Sequence, residues 1–281
     1  MDECIFKTDT IELSDTIFDS IIDRTYVILC CGEVPERIES VKKNINILRP
    51  TKYVDLIYFM GYKDCEKSLN TANDLLNNNI YVIKDAIKNN YNRILVLEDD
   101  FFLRKPLENK DINNITEFIK ENNPDVYTLG CFGIPTISTI MYKHQKLLNN
   151  VMCTSHCNIY SKDLFYKYID FIDSIPKDKI LNVATDIIFS RINDIKGYRY
   201  HEPLVFQVFP ETENQQNWHL SSSNKFSVPI TYNIYKILNL DKKEYPGYQI
   251  LYKLPIVLYI LLFLIIILVI YCYFKLYKLI R

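Results

Sequence analysis

The sequence predicts an α/β domain, a mostly parallel β-sheet flanked by helices, followed by a single C-terminal transmembrane helix. Three observations predict it. Short apolar runs rich in strand formers alternate with helical patterns through the first half of the chain. The most hydrophobic of these runs ends abruptly in Glu98-Asp99-Asp100, and Leu254 to Phe274 carries no charge at all. Alternation of this kind is the mark of βαβ units and parallel pairing.

Taken in order, residues 25–31 form a continuous apolar strand, and residues 34–48 a helix with Pro35 near its start and Ile38, Val41, Ile45 and Leu48 at helical spacing. Tyr53 to Phe59 is a second strand, 67–76 and 79–89 are two helices, and Arg93 to Glu98 is a third, buried strand. A helix at 113–122 and a strand at 125–130 follow. Beyond about residue 135 the pattern loosens, with strands near 158–160 and 198–209 and helices at 162–172 and 184–193. The chain divides into an N-terminal extension (1–24), the α/β domain (25–225), a juxtamembrane linker (226–253), the transmembrane helix (254–274) and a short basic tail (275–281).

The 281 residues are 48% hydrophobic and 24% charged, with a formal charge of −1. That balance excludes a disordered chain and an electrostatic binder of nucleic acid. Six Gly against 22 Tyr and 15 Phe point to an AT-rich coding bias, as in some large DNA viruses and parasites. The eight cysteines are scattered and read as free thiols of a reducing compartment.

The stretch 254–274, as a helix, spans about 31 Å and matches the hydrocarbon of a bilayer. Tyr252, Tyr259, Tyr271, Tyr273 and Tyr277 suit its interfaces, and Lys253 and Lys275 bracket it. The N-terminus lacks the basic start and apolar run of a signal peptide. The expectation is a single-pass C-terminal anchor with the large domain in the cytosol, on a viral or host endomembrane. The flanking charges do not decide orientation, and Asn114-Ile115-Thr116 is a glycosylation sequon only if the domain is lumenal.

Open parallel sheets bind ligands beyond the carboxyl ends of their strands, which is where Glu98, Asp99 and Asp100 fall. Mutual repulsion favours a cation among them, and hard oxygen donors suit Mn²⁺ or Mg²⁺ with phosphates and water completing the coordination. A loop opening with acidic residues is the plain alternative, but the apolar run resumes at Phe101-Phe102-Leu103.

Arg93-Ile-Leu-Val-Leu-Glu-Asp-Asp-Phe-Phe-Leu103 resembles the metal-binding strand of GT-A glycosyltransferases, in particular family 25 of the lipopolysaccharide and collagen galactosyltransferase type. The strand at 125–130, Asn158 to Leu164, Ala184-Thr-Asp186 and Pro203-Leu-Val-Phe-Gln207 fall in the same order as comparable segments there. Family 25 usually carries Asn-Leu-Asp where this chain has Cys30-Cys31-Gly32, and a Ser-His pair where it reads Asn79-Ile80-Tyr81. The resemblance implies a GT-A-like (Rossmann-like) fold, in a virus-like member, and an inverting, metal-dependent transfer from a nucleotide-sugar donor, a UDP-sugar, to a glycan or protein hydroxyl. It implies Asp100 and Glu98 as metal ligands, Glu98 or Asp99 at the ribose or metal-bound water, and Arg37 at the nucleotide or phosphate. Asp186 is the candidate catalytic base, and His219 a late-chain metal ligand.

Other readings stand beside this one. Asp186 is also an ordinary helix-start residue, Arg37 an ordinary solvated helix residue, and His219 an ordinary loop histidine. Cys153, His156 and Cys157 supply three zinc-type ligands without a fourth. A nucleotidyltransferase or nuclease also uses strand-end carboxylates, but the near-neutral charge argues against a nucleic-acid partner. A non-catalytic membrane-anchored binding or viral structural protein, derived from a transferase, is the remaining alternative.

Overall fold

The computed structural model describes residues 5–30, 35–61, 64–65, 70–130, 142–147, 156–176, 185–208, 233, 236–237 and 247–280. Its strands are β1 (Ile5–Glu12), β2 (Arg24–Cys30), β3 (Tyr53–Phe59), β4 (Arg93–Glu98), β5 (Phe101–Phe102), β6 (Val126–Thr128), β7 (His144–Lys146), β8 (Cys157–Ser161), β9 (Gly197–Tyr200) and β10 (Phe206–Gln207). The helices are α1 (Pro35–Leu48), α2 (Thr71–Lys88), α3 (Asn109–Asn122), α4 (Lys162–Ser174), α5 (Thr185–Arg191) and α6 (Gly247–Ile280). Where the sequence pattern gives two helices at 67–76 and 79–89, one helix, α2, runs through, capped by the Asn70 side chain on Asn73 N–H. No Pro or Gly interrupts it.

Eight strands form one sheet in the order β1-β3-β2-β4-β8-β6-β9-β7, and β5 and β10 form a separate ribbon. β2 is parallel to β3 and β4, and β6 to β9. β1, β7 and β8 run antiparallel to their neighbours. The expected mostly parallel sheet is therefore a mixed one: β8 inserts between β4 and β6 and reverses the direction at the sheet's centre. Residues 5–12, which carry no strand signal, are held as an edge strand. Asp55 accepts from Thr10 Oγ1 at 2.6 Å and from Arg24 through Nε and Nη2 at 2.6 and 2.7 Å, tying three adjacent strands together.

Side chains alternate across the sheet and fill two apolar layers. Tyr26, Ile28, Ile94, Val96 and Tyr160 pack with α2, α4 and α5. Val27, Leu29, Leu95, Leu97 and Ile159 pack with Val41 and Ile45 of α1 and Ile115 and Ile119 of α3. Each such side chain contributes about 1.5–3 kcal/mol when fully buried, which explains why the strands read as continuous apolar runs.

The uncharged stretch 254–274 lies within α6, whose side chains from Val257 to Tyr273 are exposed. Among the described residues no helix is long and apolar enough to cross a membrane. The expectation of free thiols holds for Cys157 and Cys272. It fails for Cys65, which is disulfide-bonded to a cysteine outside the described side chains.

Candidate functional site

β4 ends at Glu98, and Asp99 and Asp100 form a turn into β5. Ile28 of β2 lies in register with Glu98, so the triplet emerges at the carboxyl edge of a parallel pair. Glu98 N–H donates to the His156 carbonyl at 3.0 Å, which brings the start of β8 against the same edge. Asp99 continues on the face of Leu95 and Leu97, toward α1, and there accepts from Arg37 Nη1 at 2.9 Å. Arg37 stands in the first turn of α1 and is 30% exposed against 10% for Asp99.

Asp100 is met from the other direction. Gln207 Nε2 donates to Asp100 Oδ2 at 2.9 Å, and Val208 N–H donates to the Asp100 carbonyl at 3.0 Å. Burial and the neighbouring Asp99 charge push the Asp100 carboxyl up to about 7, against the Gln207 hydrogen bond and Arg37. Burial also raises Asp99, with the Arg37 guanidinium opposing it. An acid so displaced at the carboxyl edge of a parallel strand pair is a candidate functional group.

Asp100 Oδ1 and Gln207 Oε1 are buried and accept no hydrogen bond. An unsatisfied buried acceptor costs about 1–3 kcal/mol, a cost that a cation bound at these oxygens removes. Among the described residues no group of three His, Cys, Asp or Glu side chains is arranged to hold a metal. The unsatisfied groups at this edge, Asp100 Oδ1 and Gln207 Oε1, are oxygens, the donor type that suits Mg²⁺ or Mn²⁺ with phosphate oxygens and water as the remaining ligands.

The segment leading to Gln207 is fixed to the sheet. Leu204 and Val205 N–H groups donate to the Leu129 carbonyl at 2.8 and 3.2 Å, and His156 Nε2 to the Val205 carbonyl at 3.0 Å. The His156 ring is buried, its pKa pushed down to about 4, so it is neutral at pH 7. Gly130 leaves room for that ring: a Cβ there would lie 2.1 Å from His156 Nε2 and 2.7 Å from the Val205 carbonyl.

Of the sequence-predicted residues, Arg37, Glu98, Asp99 and Asp100 gather at this edge. Asp186 lies in the first turn of α5, its side chain outside the described set, and His219 lies outside the described residues. Of the C-x-x-H-C cluster, Cys153 lies outside the described residues, His156 donates from Nε2 to the Val205 carbonyl, and the Cys157 thiol is buried in the apolar layer of α1 and α3. Asn114 is held by Lys143 Nζ at 3.1 Å on helix α3. Sequence reasoning missed Gln207, His156 and Gly130 as site residues. Gln207 had a readable signal: it is a polar residue inside the apolar run 204–209.

No protein-family model and no curated protein matches the chain. Solved structures similar to it include A197 from STIV, 13% identical, with 63% of this chain and 81% of that one covered, at a TM-score of 0.35. A glycosyltransferase involved in the glycosylation of the major capsid of PBCV-1 is 14% identical, with 70% and 99% covered, at 0.35. A Bacillus anthracis protein described as a glucose-1-phosphate thymidylyltransferase, in complex with a sucrose, is 11% identical, with 69% and 75% covered, at 0.36. Likeness at this level carries no argument about activity, so function is read from the site.

Proposed function

We propose that the chain is a metal-dependent glycosyltransferase that moves a sugar from a nucleotide-sugar donor, a UDP-sugar, to a hydroxyl of a glycan or protein, with inversion. The observation that carries this reading is the half-buried Asp100 carboxylate, its Oδ1 buried without a hydrogen-bond partner, at the carboxyl edge of β4 next to the Arg37–Asp99 pair. Asp100 and Glu98 would hold Mn²⁺ or Mg²⁺, with His219 closing on the ion. When bound, the ion neutralises the diphosphate and makes the nucleotide a better leaving group. Arg37, already oriented by Asp99, is the proposed partner of a phosphate or the nucleotide. Glu98 or Asp99 would contact the ribose or metal-bound water.

Asp186 is the proposed base. It takes the proton of the acceptor hydroxyl as that oxygen bonds to the anomeric carbon, while the carbon–oxygen bond to the nucleotide breaks on the opposite face. Helix α6 is the proposed membrane anchor, its apolar side chains facing lipid rather than water. Flotation of the full chain with lipid vesicles tests that part, and a chain that stays at the bottom of the gradient overturns it.

The activity is tested by thermal unfolding of the full chain in detergent with Mn²⁺ and a panel of nucleotide sugars. A donor-specific, Mn²⁺-dependent rise in Tm, absent in Asp100→Ala, is expected. A folded protein that responds to no donor would favour the alternative, a non-catalytic membrane-anchored binding or structural protein.

A further inference from the structure

We propose that Gln207 is itself a metal ligand: its side-chain Oε1, together with Asp100 Oδ1, coordinates the divalent cation. The inference rests on the metal-dependent reading above and adds a residue that neither the acidic triplet nor the resemblance assigns.

The amide is held from several sides. Gln207 pairs with Phe101 and Phe206 with Phe102 in the β5–β10 ribbon. The Phe102 and Phe206 rings lie 5.6 Å apart, and the Arg104 guanidinium covers the Phe206 ring at 5.6 Å. The Val208 N–H to Asp100 carbonyl bond closes the ribbon on the turn that carries the carboxylate. Gln207 is therefore fixed in register with the acidic turn, although it is far from it in sequence.

Nε2 donates to Asp100 Oδ2, which fixes which end of the amide is which. With Asp100 ionised, as a bound cation requires, the amide turned over would set its oxygen against a carboxylate oxygen and leave Nε2 without that acceptor. With Nε2 committed, Oε1 is left buried without a donor, as is Asp100 Oδ1. Two adjacent side chains thus each use one polar atom on the other and each keep one buried oxygen in reserve. An anionic and a neutral oxygen on hydrogen-bonded side chains are donors of the type that hard divalent cations take. A neutral amide oxygen in place of a further carboxylate also limits the charge that Asp99 and Asp100 already crowd into the turn.

A purely positioning role would use Nε2 alone, so the two roles separate by substitution. The probe is Mn²⁺ alone, titrated into the full-length protein in detergent, with the free-ion signal followed by electron paramagnetic resonance at pH 8. Gln207→Leu, which removes both atoms, should weaken Mn²⁺ at least about tenfold while circular dichroism shows an intact fold. Gln207→Glu, which removes the Nε2 donor but keeps an oxygen at Oε1, should bind Mn²⁺ at least as tightly as the parent. If Gln207→Glu loses Mn²⁺ as fully as Gln207→Leu, Gln207 only positions Asp100 and the inference fails. If Gln207→Leu binds like the parent while Asp100→Asn does not, the inference fails and the metal site stands. A parent that binds no Mn²⁺, with or without UDP, overturns both.

Discussion

Replacing Asp100 by Asn should stabilise the metal-free protein, and by an amount that depends on pH. A carboxyl whose pKa moves from 3.8 in the unfolded chain to about 7 in the folded one costs the native state ~4 kcal/mol when it ionises. The cause is burial first and the Asp99 charge second. Between about pH 4 and pH 7 the unfolded chain has released this proton while the native state keeps it, so parent stability falls as pH rises through that window. Above pH 7 the penalty is complete, and below about pH 4 it vanishes. Relaxation around the charge reduces the ceiling, and a gain of about 2 kcal/mol at pH 8 is the expected value, or roughly 4–8 °C in Tm for a domain of this size. The assay is thermal unfolding by circular dichroism, in EDTA, at pH 4.5 and pH 8. An Asp100→Asn variant that is less stable than the parent at pH 8, or whose gain is the same at both pH values, would refute the reasoning. Mn²⁺ should reverse the order by raising the parent's Tm alone.

Arg37→Ala leaves the buried Asp99 carboxylate without its partner and should cost about 2–3 kcal/mol in denaturant unfolding; a neutral result would mean that water replaces the guanidinium. Gly130→Ala drives a methyl into the His156 ring and the Val205 carbonyl. It should cost about 1–3 kcal/mol and weaken Mn²⁺ binding by loosening the approach to Gln207, measured as Tm and metal affinity on one preparation. Non-reducing peptide mapping of the chain from intact cells should recover Cys65 in a disulfide. Recovery of only the free thiol would refute the disulfide.

The elements that were legible are those whose signal is local. Tyr53–Phe59 and Arg93–Glu98 are buried on both faces and so read as unbroken apolar runs. α1 begins at Pro35, as its sequence announces. The direction of β8 was not legible, because Cys-Asn-Ile-Tyr-Ser gives the same pattern whichever way it runs between β4 and β6. β1 was missed because its outer edge faces solvent and Lys7, Asp9 and Glu12 dilute the apolar count, while its pairing rests on Asp55 across the sheet. The split of α2 into two helices came from the Asn-rich centre, Asn77-Asn78-Asn79, where Asn78 and Asn79 each return a side-chain N–H to the carbonyl one turn back.

The same distinction governs the site. Glu98, Asp99 and Asp100 were found because they are contiguous, whereas the groups that decide what they do come from elsewhere in the chain. Arg37 binds Asp99 and thereby separates the two aspartates: one is held as an ion pair, the other is left with a buried, unsatisfied oxygen. That division of roles is absent from strand alternation, which places Glu98 and Asp100 together and Asp99 apart. It arises because the turn after β4 presents Asp99 to α1 and Asp100 to β10, and β10 reaches that position only because Leu129, His156 and the space at Gly130 hold residues 204–205 against the end of β6. A change at Gly130 should therefore act on the cation site through the placement of Gln207, with Asp99 and Arg37 left paired. Loss of the Arg37–Asp99 pair on Gly130→Ala, seen as the same fall in nucleotide affinity that Arg37→Ala causes, would show that the two halves of the site are not independently held.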